Sequence, residues 1–263
     1  LGLTWLSVIV LLPLTALAIR ATELGLDGWL RVLGDERIQA SLKLSFGTAL
    51  AAAVFASLVG LLVAWVLVRY RFPGRRLLDA IVDLPFALPT AVAGIALTAL
   101  YSQNGWIGQW TEAIGWQIAY ARSGIVLALI FIGLPFAIRT VQPMLETLGR
   151  DPEEAAASLG ASRWTTLRRV VLPEILPGVL SGFSLAFARG LGEYGSVIFI
   201  AGNKPYSTEI APLLITIRLE EYDYNGAVAI AALMLLASFL CLLVINLLPM
   251  LFAHERQQAR HHG

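Results

Sequence analysis

From Leu44 to Val68 the chain carries no charged side chain over 25 residues, and this run constrains the fold more than any other feature. At 1.5 Å per residue, a helix of that length exceeds the ~30 Å hydrocarbon core of a bilayer. Within the run, Thr48, Ala52, Ala56, Gly60 and Ala64 recur at every fourth position. Lipid tails give two helices no hydrophobic reason to associate, so such a ridge of small side chains predicts a helix packed closely along its length against a neighbour. Composition agrees, because only 14% of residues are charged and 57% are hydrophobic, against roughly 25% charged in soluble domains. The expected fold class is an all-α polytopic membrane protein.

Six spans are expected within one transmembrane domain covering 1–263: residues 3–19, 44–68, 84–101, 123–141, 175–201 and 227–253. The first residue is Leu1, which points to a missing N-terminal piece. Ala16-Leu17-Ala18 before Arg20 resembles a signal-peptidase site, but no basic region precedes it, so the first run is read as a retained span. Pro85 and Pro89 mark the first turn or a bend of the third span. Trp106, Trp110, Trp116 and Tyr120 then suit an interfacial loop with a short helix lying on the membrane. Pro135 predicts a kink in the fourth span, and Arg189 and Glu193 fall inside the fifth. The single cysteine, Cys241, lies in an apolar run and is read as a small buried hydrophobe.

Between the fourth and fifth spans, residues 142–174 form a mixed polar loop with strong helix punctuation. Asp151 is expected as an N-cap, Pro152 as the first helical residue, and Glu154 as a capping-box carboxylate. Gly160 suits a left-handed helix end, Ser162 caps a second helix, and Leu172-Pro173 is expected to stop it. Two short capped helices between spans look like a docking device. Arginines and lysines near the span ends number eleven on the side of this loop and seven on the other, Arg189 lying within a span. The positive-inside bias therefore places the loop and the C-terminus in the cytoplasm.

Much chemistry is excluded. All three histidines, His254, His261 and His262, lie in the terminal tail, so no Ser-His or metal cluster can form in the membrane. Neither lysine, Lys43 or Lys204, stands in a phosphate-binding loop. Energy for active transport must come from a partner subunit or an ion gradient. A gradient-driven carrier needs titratable groups at membrane depth, yet Glu193 is the only carboxylate deep in a span, four residues after Arg189. The pair is open to two readings, self-neutralisation on one helix face or the lining of a path or gate. A charge swap would restore a purely structural pair. Thr90, Ser181, Ser184 and Ser196 are candidate path hydroxyls, although such groups commonly bond their own helix backbone.

Glu154-Ala155-Ala156, three residues, Gly160, nine residues, then Val170-Val171-Leu172-Pro173 resembles the EAA loop of bacterial ABC importer permeases, with Val170 where the family pattern has isoleucine. Leu84 to Gly94 and Ala188 to Asn203 are similar to the sulfate and molybdate branch, and most similar to the T (or U) type of sulfate/thiosulfate permease subunit. The resemblance covers spans two to six. It implies a type I importer fold in the bacterial inner membrane, with Glu154, Ala155, Ala156, Leu159 and Gly160 coupling to an ATPase. It also implies a second permease subunit, two cytoplasmic ATPase subunits that hold ATP and Mg, and a periplasmic sulfate-binding protein. No cofactor bound by this chain and no nucleic-acid partner is expected. The alternatives are a permease for molybdate, tungstate or another oxyanion, a gradient-driven carrier, and a scaffold subunit without a path.

Overall fold

The computed structural model describes residues 4–5 and 7–261, with side chains described as far as Ile245 and at Leu247. Among the described residues the regular structure is entirely helical. A π-helical turn, Ser7–Leu11, leads into α1 (Leu12–Thr22), which meets α2 (Gly25–Gly34) at a 95° bend. Gly25 takes φ +61° there, a conformation open to glycine. The expected first span thus continues to Thr22, and its first residue, Leu3, lies outside the described residues.

The second span begins earlier than its apolar run predicts. Helix α3 covers Glu36–Arg69, because Asp35 caps it by accepting from the backbone N–H of Arg37 at 2.8 Å and of Ile38 at 3.2 Å. Short helices α4 (Arg75–Val82), α5 (Leu84–Ala87) and α6 (Thr90–Tyr101) follow. The expected third span is therefore not continuous. Leu88 is extended between Pro85 and Pro89, as a residue preceding proline favours, and the 12 residues of α6 reach only about 18 Å. Helix α7 (Gly108–Ala113) lies in the aromatic segment, where Trp106, Trp110 and Trp116 are exposed as an interfacial loop requires.

Helix α8 (Arg122–Leu148) runs through both Pro135 and Pro143 and absorbs the start of the expected polar loop. Then come α9 (Asp151–Ser158) and α10 (Arg163–Thr166). Leu172-Pro173 does not stop the chain's helix. A π-helical stretch, Leu167–Val171, carries α10 directly into α11 (Leu172–Leu191). Widening the turn there accommodates a proline that lacks an N–H and would crowd a regular α-turn. The fifth span also differs at its far end, since α11 stops at Leu191 and α12 (Val197–Ile200) follows a break. Helix α13 (Ala211–Glu220) lies in the next connection, and α14 (Tyr224–His261) forms the last span. Among the described residues four helices are individually long and apolar enough to cross a bilayer, and the bent α1–α2 pair makes a possible fifth.

The small-residue ridge of α3 is buried as expected, at Thr48, Ala52, Ala56, Gly60 and Ala64. Its neighbours are α8 and α11, and the three helices form the core. A Cβ on Gly60 would stand 2.7 Å from the Ala137 Cβ of α8, and one on Gly182 of α11 would stand 2.9 Å from the Ala137 Cα. Gly133 of α8 completes the junction, facing Ala186 of α11 and Ala56 of α3. Close backbone approach supplies the dispersion contacts that hold helices together in lipid. Gly60→Leu should therefore cost about 1–3 kcal/mol by overpacking, read as a lower unfolding temperature in detergent. Gly47→Ala on the same helix meets nothing within 4 Å and should be neutral or stabilising; equal losses in both variants would contradict this packing.

Candidate functional site

The residues singled out in the sequence fall mainly in two places, one on α9 and one at the break after α11. Helix α9 starts one residue earlier than expected. Arg150 occupies the N-cap position in an αR conformation, and no side chain caps the helix. Asp151 consequently lies inside the first turn, with Glu153 and Glu154, where three carboxylates face the positive end of the helix dipole. The capping box assigned to Glu154 does not form; Glu154 is exposed and has no side-chain hydrogen bond or ion pair. The exit follows expectation, because Gly160 takes φ +80° and Ser162 caps α10 by accepting from the backbone N–H of Thr165 at 3.2 Å. Ala155 is exposed, Ala156 half-buried, and Leu159 is 88% exposed, an apolar side chain without a cover in this chain.

What fixes α9 to the spans is Arg69, the last residue of α3. Its Nε donates to Glu153 Oε1 at 2.8 Å, its Nη1 to the Leu145 carbonyl at 3.1 Å, and its Nη2 to the Gly149 carbonyl at 2.7 Å. The guanidinium also lies 5.5 Å from the ring centre of Trp65, one turn earlier. In the sequence Arg69 is one of several charges flanking a span, and nothing marks Glu153 as its partner. Their separation of 84 residues leaves no local signal linking them. Arg139 is likewise, in the sequence, one charge near a span exit. In the structure it pairs with Asp79 at 2.7 Å and with Asp83 at 2.6 Å, fastening α4 to α8.

At the second place, α11 ends in the turn that holds Arg189, and Glu193 lies beyond the helix. The two charges pair as expected, but across the end of the helix rather than along one helix face. Glycines at 190, 192 and 195 release the helix, and the 2% exposed Glu193 carboxylate stabilises the released backbone. Glu193 Oε1 accepts from the Ser196 backbone N–H at 2.9 Å and lies 3.0 Å from the Ser196 hydroxyl, while Oε2 pairs with Arg189 at 2.6 Å. Helix α6 seals this turn from the side. A Cβ on Gly94 would lie 2.4 Å from the Ser196 carbonyl, and one on Gly195 would lie 2.2 Å from the Thr90 hydroxyl. The two interrupted segments, around Pro89 and around Gly192, therefore meet.

The hydroxyl candidates divide. Thr90 and Ser196 come together at this junction. Ser184 is buried and donates to its own helix at the Leu180 carbonyl, 2.9 Å away. Ser181 is exposed on the outer side of α11. Because Glu193 accepts from Ser196 as well as pairing with Arg189, an arginine at 193 could not replace it. Glu193→Ala should cost about 3 kcal/mol by leaving polar groups unpaired. The double variant Arg189→Glu/Glu193→Arg should unfold no later than the single one in detergent thermal scans. Recovery by the swap would contradict the capping role.

Residues 56–254 match the family described as binding-protein-dependent transport system inner membrane component. The chain is 47% identical to the sulfate transport system permease protein CysT of Escherichia coli over 97% of this chain and 92% of that protein. It is 48% identical to CysT of Synechocystis over 93% of this chain and 85% of the relative. Among solved structures, a bacterial ABC transporter involved in the import of the acidic polysaccharide alginate superposes with a TM-score of 0.77. It covers 94% of this chain and 91% of its own at 16% identity, a likeness that speaks to the fold. The interrupted spans, the protruding α9 and these matches converge: the chain belongs to the inner membrane components of binding-protein-dependent transport systems, on the branch of the CysT-like permeases.

Proposed function

We propose that the chain forms half of a path for sulfate or thiosulfate, with a second permease subunit forming the other half. The observation that carries the reading is the exposed apolar surface formed by Ala155 of α9 and Leu159 at its C-cap. An exposed leucine on a small, well-fastened helix is suited to a groove on another protein. Glu154, Ala155, Ala156, Leu159 and Gly160 form this docking element, and two cytoplasmic ATPase subunits, holding ATP and Mg, are its partners. The arginines at 69, 71, 75, 76, 150, 163, 168 and 169 support a cytoplasmic placement of that end. A periplasmic binding protein delivers the anion on the opposite side.

The junction of Thr90 with Gly195, beside Arg189, is the proposed gate region of the path. Non-helical backbone at membrane depth is stable only where protein or an aqueous cavity covers it; Glu193 and Ser196 are buried within this chain, whereas Phe86, Ala87 and Pro89 are exposed and are left for the path or the second subunit to cover. Exposed Ser181 belongs to the surface of α11 turned toward the second subunit. Transport requires different affinities for the anion in the two states rather than tight binding. The names of the relatives favour sulfate over molybdate or tungstate.

In the purified four-subunit importer, sulfate-loaded binding protein should stimulate ATP hydrolysis, and molybdate-loaded protein should not. Stimulation confined to molybdate would reassign the anion. Gly160→Val meets open space but forces a side chain into a left-handed conformation, at roughly 1–2 kcal/mol, and Ala155→Trp blocks the docking face. Both variants should insert normally and lose co-purifying ATPase; wild-type recovery of ATPase in both would remove α9 as the docking element.

A further inference from the structure

Helix α9 is joined to its neighbours in the chain by turns in which glycine takes a positive φ. Gly149 ends α8 with φ +65°, and Gly160 ends α9 with φ +80°. Neither junction continues a helix, so displacement of α9 cannot pass along an unbroken rod into α8 or α11. Helix α9 also packs against α10 and the Leu167–Val171 turn, but the contact that carries it to α3 and α8 is the Arg69 guanidinium, whose side chain is only 8% exposed. It reaches Glu153 on α9 and two carbonyls at the C-terminal end of α8, while belonging to α3. A cation suits that position, where unpaired helix carbonyls concentrate partial negative charge. Arg150 reinforces the joint in the reverse direction, donating from Nη2 to the Arg69 carbonyl.

We propose that Arg69 and Glu153 are positioning residues that transmit movement of α9 to α3 and α8, and hence to the three-helix core. This proposal rests on the reading of α9 as the ATPase-docking helix, but assigns a different task to a different face. Docking uses the exposed residues Ala155 and Leu159; transmission uses the inward Glu153. The pair thus converts a local push on an eight-residue helix into movement of two long spans. Lysine at position 69 would retain charge but not the fork that reaches three acceptors at once.

The test uses the assembled importer with its ATPase and sulfate-loaded binding protein in lipid nanodiscs. Glu153→Gln and Arg69→Lys should retain co-purifying ATPase at wild-type stoichiometry. The ratio of binding-protein-stimulated to unstimulated hydrolysis should fall about tenfold, within the 5–150-fold range usual for coupling between sites. In a Cys241→Ser background, the pair Arg69→Cys/Glu153→Cys should show the same loss, and a short bis-methanethiosulfonate, which joins the two thiols through disulfides with loss of sulfinate, should restore stimulation until reductant cleaves them. Wild-type stimulation in Glu153→Gln would overturn the proposal. Loss of ATPase from that variant would also overturn it, by making Glu153 part of docking. If instead Ala155→Trp retains the ATPase, the docking reading itself fails.

Discussion

Helix α3 is fastened at both ends, and much of the molecule depends on that arrangement. At its start, Asp35 caps the helix, and Arg37 grips the buried Glu209 carboxylate through two hydrogen bonds of 2.8 and 2.7 Å. Ser45, two turns later, accepts the backbone N–H of Ala211 at 2.8 Å and so receives the start of α13. At its end, Arg69 gathers α8 and α9. Between these charged joints the helix relies on small residues, and no charge interrupts the seam with α8 and α11. The division is physical: ion pairs lie near the ends, where several hydrogen bonds to each buried charge offset its desolvation, and dispersion acts along the apolar middle.

Around this rigid core lie segments interrupted by proline or glycine. The chain from α4 to α6 is attached to α8 through Arg139, and the segment from Gly192 to Ile200 is organised by Glu193. Their mutual contact is close enough that glycine is required at Gly94 and Gly195. A permease needs one body that stays packed and another whose geometry can differ between states. Close packing makes the three-helix core resistant to gradual deformation, whereas short helices joined by proline and glycine turns have more ways to rearrange.

The uncharged run 44–68 identified the membrane class and the buried ridge because both follow from local composition. Gly160 and Ser162 were equally legible, since left-handed and capping geometries select specific residue types. Errors arose where neighbours decided the outcome. Apolarity drew 84–101 and 175–201 as whole spans, although the prolines at 85 and 89 and the glycines at 190, 192 and 195 stand where the helices break. Pro173 was misread as a stop because a π-turn can absorb it. The Arg69–Glu153 and Arg139–Asp79 joints were invisible because their partners are distant in sequence.

On the proposed function, ATP hydrolysis by docked partners, rather than an ion gradient, drives this permease. The most direct measurement is uptake of radiolabelled sulfate into proteoliposomes holding the whole importer, with binding protein on the delivery side. Uptake should require both ATP and binding protein and persist after ionophores collapse proton and sodium gradients. Uptake that continues without ATP and stops when the gradients collapse would contradict the claim.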